Sequence, residues 1–277
     1  MIFIAHDPVT TALLAASMEA ACFRQRLKEC IGAWWIAYKF FLEAAYSMGR
    51  VLIIDTETTG FTDPVEPIEI AWVCMHAESL ASLDDALSIS ESFESRYKPD
   101  GPISYGAMAT HHITNEDLEG CPHHSTFSLP PDTLFLVGHN IDYDWNVIGQ
   151  PEVPRICTLA LARRLWPDDL GHSLGAMMYR LASPHEAREL LKNAHSAYHD
   201  VLMTHILLRK IMGRMPKVRT WQRLWEASER ARIPVIMPFG KHKGMPIADL
   251  PQDYCDWLLR QSDMDHYLLQ AIRLRGS

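Results

Sequence analysis

The stretch Arg50-Val-Leu-Ile-Ile-Asp55-Thr-Glu57-Thr-Thr-Gly60 decides how the chain is organised. Its opening is a short apolar run rich in branched side chains, the composition of a buried strand. The run ends in carboxylates. Side chains alternate across a strand, so Asp55 and Glu57, two residues apart, share a face. Two neighbouring carboxylates repel unless something positive lies between them, and a divalent cation meets that need. Thr58, Thr59 and Gly60 then turn the chain where a ligand can approach.

Two later segments repeat the arrangement. Leu134-Phe-Leu-Val-Gly-His139-Asn140-Ile-Asp-Tyr143-Asp144 is an apolar strand that runs into polar residues and then a helix. His195-Ser-Ala197-Tyr-His-Asp200 leads into the apolar helix Val201-Leu-Met-Thr-His-Ile-Leu-Leu. Three distant segments thus bring acids to the mouth of an apolar element, as in a metal site on an α/β scaffold. Five helical residues sweep roughly 140°, so His195 and Asp200 would diverge within one helix. His195 is therefore expected in the preceding loop or first turn and Asp200 inside the helix.

The order Asp-x-Glu, His-Asn-x-x-Tyr-Asp and His-x-Ala-x-x-Asp resembles the DEDDh class of 3′-to-5′ exonucleases. Ile103–Thr114 is similar to that class's substrate-side helix and loop. Ile156–Pro167 and Phe239-Gly-Lys-His-Lys-Gly244 are similar to its exodeoxyribonuclease X subfamily. The resemblance implies a ribonuclease-H-like α/β fold: a mixed five-stranded sheet flanked by helices, with a small mainly helical C-terminal module.

It also implies two divalent cations, Mg²⁺ or Mn²⁺, held by Asp55, Glu57, Asp144 and Asp200. Asp55 is the implied bridging ligand, Glu57 and Asp200 serve the ion beside the attacking water, and Asp144 serves the ion at the leaving group. His195, ordinarily titrating near neutrality, is the implied general base. The spacing from His139 favours Asp144 over Asp142 as the motif acid, and His199 is read as structural or exposed. Thr58, Gly60 and Phe61 resemble the pocket for the terminal nucleotide, and His111 a contact to the next one. Asn140, with His139, is placed at the sugar end. Tyr143 stands where relatives commonly have Phe, and its hydroxyl needs a partner.

The expected activity is release of nucleoside 5′-monophosphates from the free 3′ end of single-stranded, and also double-stranded, DNA. The alternatives are an exoribonuclease or oligoribonuclease-like enzyme, and an inactive nucleic-acid-binding or polymerase-associated subunit. The complete acidic set and His195 argue against the last.

The 277 residues are 48% hydrophobic, ample for a sizeable core and a small second unit. A net charge of −8 excludes a uniformly basic nucleic-acid binder, but the charge is uneven. Residues 1–200 carry 13 Lys or Arg against 27 Asp or Glu, whereas residues 201–277 carry 13 against 7. An acidic catalytic lobe beside a basic tail suits a nuclease that grips a polyanion with a separate surface. Lys241 and Lys243, between two glycines, are candidates for that grip. The six cysteines suggest no disulfide framework. Cys121-Pro-His-His124 has the look of half a zinc site; it lacks a second half in the sequence and is read as loop. With no signal-peptide pattern, the expected compartment is the cytoplasm, with no membrane partner.

Three domains are expected: residues 1–49, 50–213 and 214–277. The first is read either as native helices, docking a second copy or a polymerase or repair partner, or as sequence upstream of a start at Met48. Strands are expected at Arg50–Ile54, Ile68–Met75, Ser92–Tyr97, Leu134–Val137 and Arg155–Cys157. Helices are expected at Tyr105–Ala109, Glu116–Glu119, Asp142–Ile148, Thr158–Leu165, Leu174–Leu181, Ala187–Lys192, His195 to about Ile211, Trp221–Arg232, Gln252–Arg260 and His266–Leu274. A hairpin-like turn is expected at Phe239–Ile247 and loop at Pro122–Pro131.

Overall fold

The computed structural model describes residues 49–76 and 87–275. The readings made for residues 1–48, including the Trp34-Trp35 run and its docking role, lie outside the described residues.

β1 (Arg50–Thr58), β2 (Pro67–His76), β3 (Ile89–Arg96), β4 (Thr133–Gly138) and β5 (Arg155–Cys157) form one mixed sheet in the order β3-β2-β1-β4-β5. β1 runs antiparallel to β2, and β2 to β3, whereas β4 is parallel to β1 and β5 to β4. β1 is therefore where connection type switches, and the crevice beyond the carboxyl ends of such strands is where α/β folds bind ligands.

The alternation of β1 sorts its residues between two apolar layers. Val51 and Ile53 pack with α3 (Thr158–Leu165), α4 (Leu174–Leu181), α6 (Ala197–Arg214) and α7 (Trp221–Arg232). Leu52 and Ile54 pack on the other side with Ile141 and Trp145, at the start and in the body of α2 (Asp142–Val147). By the same alternation Asp55 and Glu57 fall on the side of α6. β3 is largely exposed and reads Ile-Ser-Glu-Ser-Phe-Glu-Ser-Arg, a polar composition that suits a sheet edge.

Element types match the expectation and some boundaries move. The third strand begins at Ile89, three residues early, because its backbone still pairs with β2 there, with Ile89 opposite Met75. α1 (Tyr105–His111) extends two residues further, and Glu116–Leu118 is a 3-10 turn. α5 (Pro184–Leu190) begins three residues before the expected Ala187. A capping box sets that start: Ser183 accepts from the Glu186 N–H, Glu186 accepts from the Ser183 N–H, and Pro184 opens the helix. The stretch read as loop from Pro122 holds a 3-10 turn, His124–Thr126. No helix among the described residues is long and apolar enough to cross a membrane.

Beyond α7 the chain forms a hairpin-like turn and two helices, α8 (Gln252–Leu258) and α9 (His266–Leu274), around Met237, Ile247, Leu258 and Leu268. Arg232, at the end of α7, ties this segment to the sheet. Its side chain is 3% exposed. It donates to both Asp142 oxygens at 3.0 and 3.1 Å, to the Tyr267 hydroxyl and to the Arg155 carbonyl. Arg155 makes a second ion pair with Asp142 at 3.0 Å. Asp142, two residues short of the motif acid, thus anchors the start of the helix that carries Asp144. Asp142 is 41% exposed and keeps Arg155, so what Arg232→Ala loses is the buried packing of the arginine and its hydrogen bonds to the Tyr267 hydroxyl and the Arg155 carbonyl. Arg232→Ala is expected to cost about 2 kcal/mol of folding stability. Urea unfolding measures this, and a change below the error of the extrapolation would contradict it.

Candidate active site

Four carboxylates converge at the carboxyl end of β1. Asp55 and Glu57 come from the strand itself, Asp144 from the first turn of α2 and Asp200 from the first turn of α6. Glu57, His195 and Asp200 each offer an atom within 4.8 Å of the others. Asp144 is tied to β1 through Thr56, whose N–H and hydroxyl donate to the same carboxylate oxygen at 2.9 and 2.8 Å. Thr56 lies between the two motif acids, and nothing in the sequence singles it out.

The electrostatics follow from this crowding. Burial, then Asp144, Asp200, Glu57 and Glu69, hold the Asp55 carboxyl well above the usual carboxylate range. Burial, then Asp200, Glu69 and Asp144, push Glu57 up to about 8. Burial raises Asp144 to about 7 against the opposing hydrogen bonds from Thr56, and it raises Asp200 too. Acids buried and crowded in this way form a candidate cation site, since hard divalent ions take oxygen ligands.

The sign of the linkage gives a test. A carboxyl whose pKa is raised on folding stabilises the fold below its unfolded value and loses that contribution as pH rises through the folded value. For Glu57 and Asp144 the loss runs from the ordinary carboxylate range up to about 8 and about 7. In chelator, the melting temperature should fall across that window, and Mn²⁺ should restore it most at the alkaline end. Melting Glu57→Gln alongside checks the source: its slope should be shallower, and an equal slope would contradict the assignment.

Glu69 is a further buried acid, one that sequence reasoning missed. It lies opposite Glu57 in the β1–β2 register. Its carboxylate accepts from the Arg96 Nε–H and from the Ala197 N–H, both at 3.0 Å. It thereby pins the first residue of α6, and with it the turn holding His195. The available signal was one acid inside the apolar run Ile68-Glu-Ile-Ala-Trp-Val.

His195 stands two residues before α6, as its spacing requires, with φ +65° and an exposed side chain. Its N–H donates to Asp200 at 3.3 Å. His199 lies near Asn193 and Ser196 instead.

The pocket residues follow β1. The Tyr143 hydroxyl lies 2.6 Å from the Thr58 hydroxyl and 3.3 Å from the Gly60 carbonyl, which supplies the partner its sequence demands. Gly60 has φ +145°, and a Cβ there would sit 2.7 Å from Ser104 Oγ, so the close approach requires glycine. Phe61 is 91% exposed with its ring 5.8 Å from Tyr143, and Tyr105 is 89% exposed. His111 is buried and both of its nitrogens are engaged: Nδ1 accepts from the Ile113 N–H, and Nε2 meets the Thr58 carbonyl. His139 Nε2 donates to the His172 carbonyl and Nδ1 meets the Thr158 hydroxyl; burial lowers this imidazole to about 4. Asn140 follows with φ +77°.

Asn140 also lines a groove of about 550 Å³, together with Arg163, Arg164 and Phe239. Lys241 and Lys243 are exposed on the turn just beyond, between Gly240 and Gly244, both in the left-handed region. Neither lysine lines the groove, and neither is among the groups that shift the acids of the cluster. A second group of metal-ligating side chains among the described residues is Asp100, His123 and His124.

Comparison with known proteins agrees with this geometry. A family model described as exonuclease matches residues 52–127, and one described as a putative quorum-sensing-regulated virulence factor matches residues 231–263. Exodeoxyribonuclease 10 of Escherichia coli strain K12 is 30% identical over 225 residues, which cover 76% of this chain and 91% of that protein. Among solved structures, exonuclease X in complex with 5′-overhanging duplex DNA aligns over 60% of this chain and 93% of its own, at 29% identity and a TM-score of 0.46. The E. coli exonuclease I complex with single-stranded DNA aligns over 78% of this chain and 60% of its own, at 17% identity and a TM-score of 0.51, a likeness of fold.

Proposed function

Because the chain belongs to the family of DEDDh 3′-to-5′ exonucleases that includes exodeoxyribonuclease 10, we propose that its carboxylate cluster hydrolyses the terminal phosphodiester of DNA from a free 3′ end. The observation that carries this reading is the convergence of Asp55, Glu57, Asp144 and Asp200 beside His195, each acid held above the usual carboxylate range first of all by burial. Two divalent cations, Mg²⁺ or Mn²⁺, would neutralise charge on the phosphoryl oxygens, acidify the attacking water and stabilise the leaving 3′ oxygen.

The chain's own residues do the rest. Asp55, whose carboxyl is raised by burial and by the other acids, would serve both cations. Glu57 and Asp200, next to His195, would hold the side from which water attacks, and His195 would accept its proton. Asp144, locked by Thr56, holds the leaving-group side. Thr58 and Gly60 form the wall of the nucleotide pocket, and Phe61 and Tyr105 offer exposed rings on which bases stack. His111 acts through Thr58, since its ring nitrogens are already used. Asn140, Arg163 and Arg164 line one groove, where the two guanidinium groups would meet backbone phosphates.

Lys241 and Lys243 extend that track. Replacing both by Ala should weaken DNA binding and reduce the slope of log affinity against log salt by about 1–2, roughly one unit for each phosphate no longer neutralised. An unchanged slope across a salt series would remove them from the track.

The reading is tested by incubating the chain with 5′-labelled and 3′-labelled DNA and RNA, single-stranded and duplex, with Mg²⁺ or Mn²⁺. Nucleotide-by-nucleotide shortening of 5′-labelled DNA and immediate release of the 3′ label as a monophosphate are expected. Internal cuts, or faster degradation of RNA than of DNA, would overturn it.

A further inference from the structure

The half-site seen in the sequence at Cys121-Pro-His-His124 has its second half elsewhere in the fold. Asp100, His123 and His124 offer ligand atoms within 4.8 Å of one another, and the Glu66 carboxylate stands beside them. His123 Nε2 lies 2.9 Å from Asp100 Oδ1, a good hydrogen bond. His124 Nε2 lies 3.5 Å from Asp100 Oδ2 and 3.6 Å from Glu66 Oε1. Those two separations are too long for strong hydrogen bonds. They are close to the edge of a tetrahedron, because donors about 2.0–2.2 Å from a zinc ion lie about 3.3–3.6 Å apart.

The donors are also braced from behind, as metal ligands are. Glu66 Oε2 accepts from the N–H groups of Asp100 and Gly101 at 2.9 and 3.0 Å, which leaves Oε1 for the cluster. His123 Nδ1 lies 2.8 Å from Ser125 Oγ, which accepts a hydrogen bond from the Nδ1–H once Nε2 is a ligand. A weaker hydrogen bond from the Ser125 N–H at 3.3 Å is given up in that tautomer. The backbone holds the two sides together: the Lys98 N–H donates to the Pro122 carbonyl and the His124 N–H to the Lys98 carbonyl. Cys121 takes no part, since its thiol meets the Asp117 carbonyl.

We propose that Asp100, His123 and His124 hold a structural zinc ion, separate from the carboxylate cluster, with Glu66 Oε1 beside His124 completing the set on one side. Two imidazoles with carboxylate oxygens suit zinc, whereas magnesium prefers oxygen ligands and retains water. The site clips the exit of β3, the residue before β2 and the turn after Pro122. Glu66 and Thr59 exchange hydrogen bonds, N–H to carbonyl at 3.0 Å and N–H to hydroxyl at 3.2 Å. The clip therefore steadies the segment that leads to Gly60 without touching the reacting atoms.

The test uses the full chain carrying Asp55→Asn and Asp200→Asn, so that the carboxylate cluster contributes little. It is dialysed against Zn²⁺ or Co²⁺ with excess Mg²⁺, and bound metal is counted by elemental analysis. The expected result is one zinc ion per chain, an intense tetrahedral spectrum with Co²⁺, and a higher melting temperature with Zn²⁺. Adding His123→Gln and His124→Gln should abolish all three. Matching far-ultraviolet circular dichroism in chelator keeps the comparison free of misfolding. Absence of zinc under excess Mg²⁺, or equal zinc in the histidine variant, would overturn the proposal.

Discussion

Asp55→Asn is expected to lower kcat by about a thousandfold or more, roughly 4 kcal/mol of transition-state stabilisation, while the metal-free protein melts at a higher temperature than the wild type. The two effects have one cause. Asp55 is raised by burial and by every other acid of the cluster. Without cations, its charge is a source of repulsion that an amide of the same shape removes. With cations, that charge is what binds them, and the neutral amide is a poorer ligand for hard ions. A residue retained only for packing would lose stability and keep activity. Activity within tenfold of wild type would remove Asp55 from the mechanism. A lower melting temperature in chelator would contradict the electrostatic account.

His195→Asn is the second large effect. Loss of a positioned general base costs about 10²- to 10⁴-fold in kcat. Asn is chosen because His195 has φ +65°, a conformation that Asn tolerates better than Ala. The side chain is exposed, so folding and DNA affinity should change little. The distinguishing readout is the kcat-against-KM split: kcat should fall while KM stays near the wild-type value. A kcat within tenfold of wild type, or a loss carried mainly by KM, would make His195 a structural residue.

The central strand and its acids were legible because their signals are local. Val51–Ile54 is apolar, and the two-residue step from Asp55 to Glu57 fixes a common face. The five-residue step from His195 to Asp200 likewise put the histidine outside α6. What could not be read depends on pairs distant in sequence. Nothing near Asp142 announces Arg232, ninety residues on. Glu69 reads as one acid in an apolar strand until α6 arrives with the Ala197 N–H. The start of α5 had a local signal, Ser183-Pro-His-Glu186, which apolar periodicity alone overlooks. His123 and His124 lacked a second half only along the chain; folding brings Asp100 and Glu66 to them.

The most direct measurement is the Mn²⁺ paramagnetic resonance spectrum of the full chain with a nucleoside 5′-monophosphate at mildly alkaline pH. Two ions held by one carboxylate cluster lie about 3.5–4 Å apart and couple magnetically, whereas an ion at the histidine site stands alone. A coupled-pair spectrum in the wild type that vanishes in Asp55→Asn is the predicted result. Isolated Mn²⁺ in the wild type, or a coupled spectrum that survives Asp55→Asn, would contradict the account.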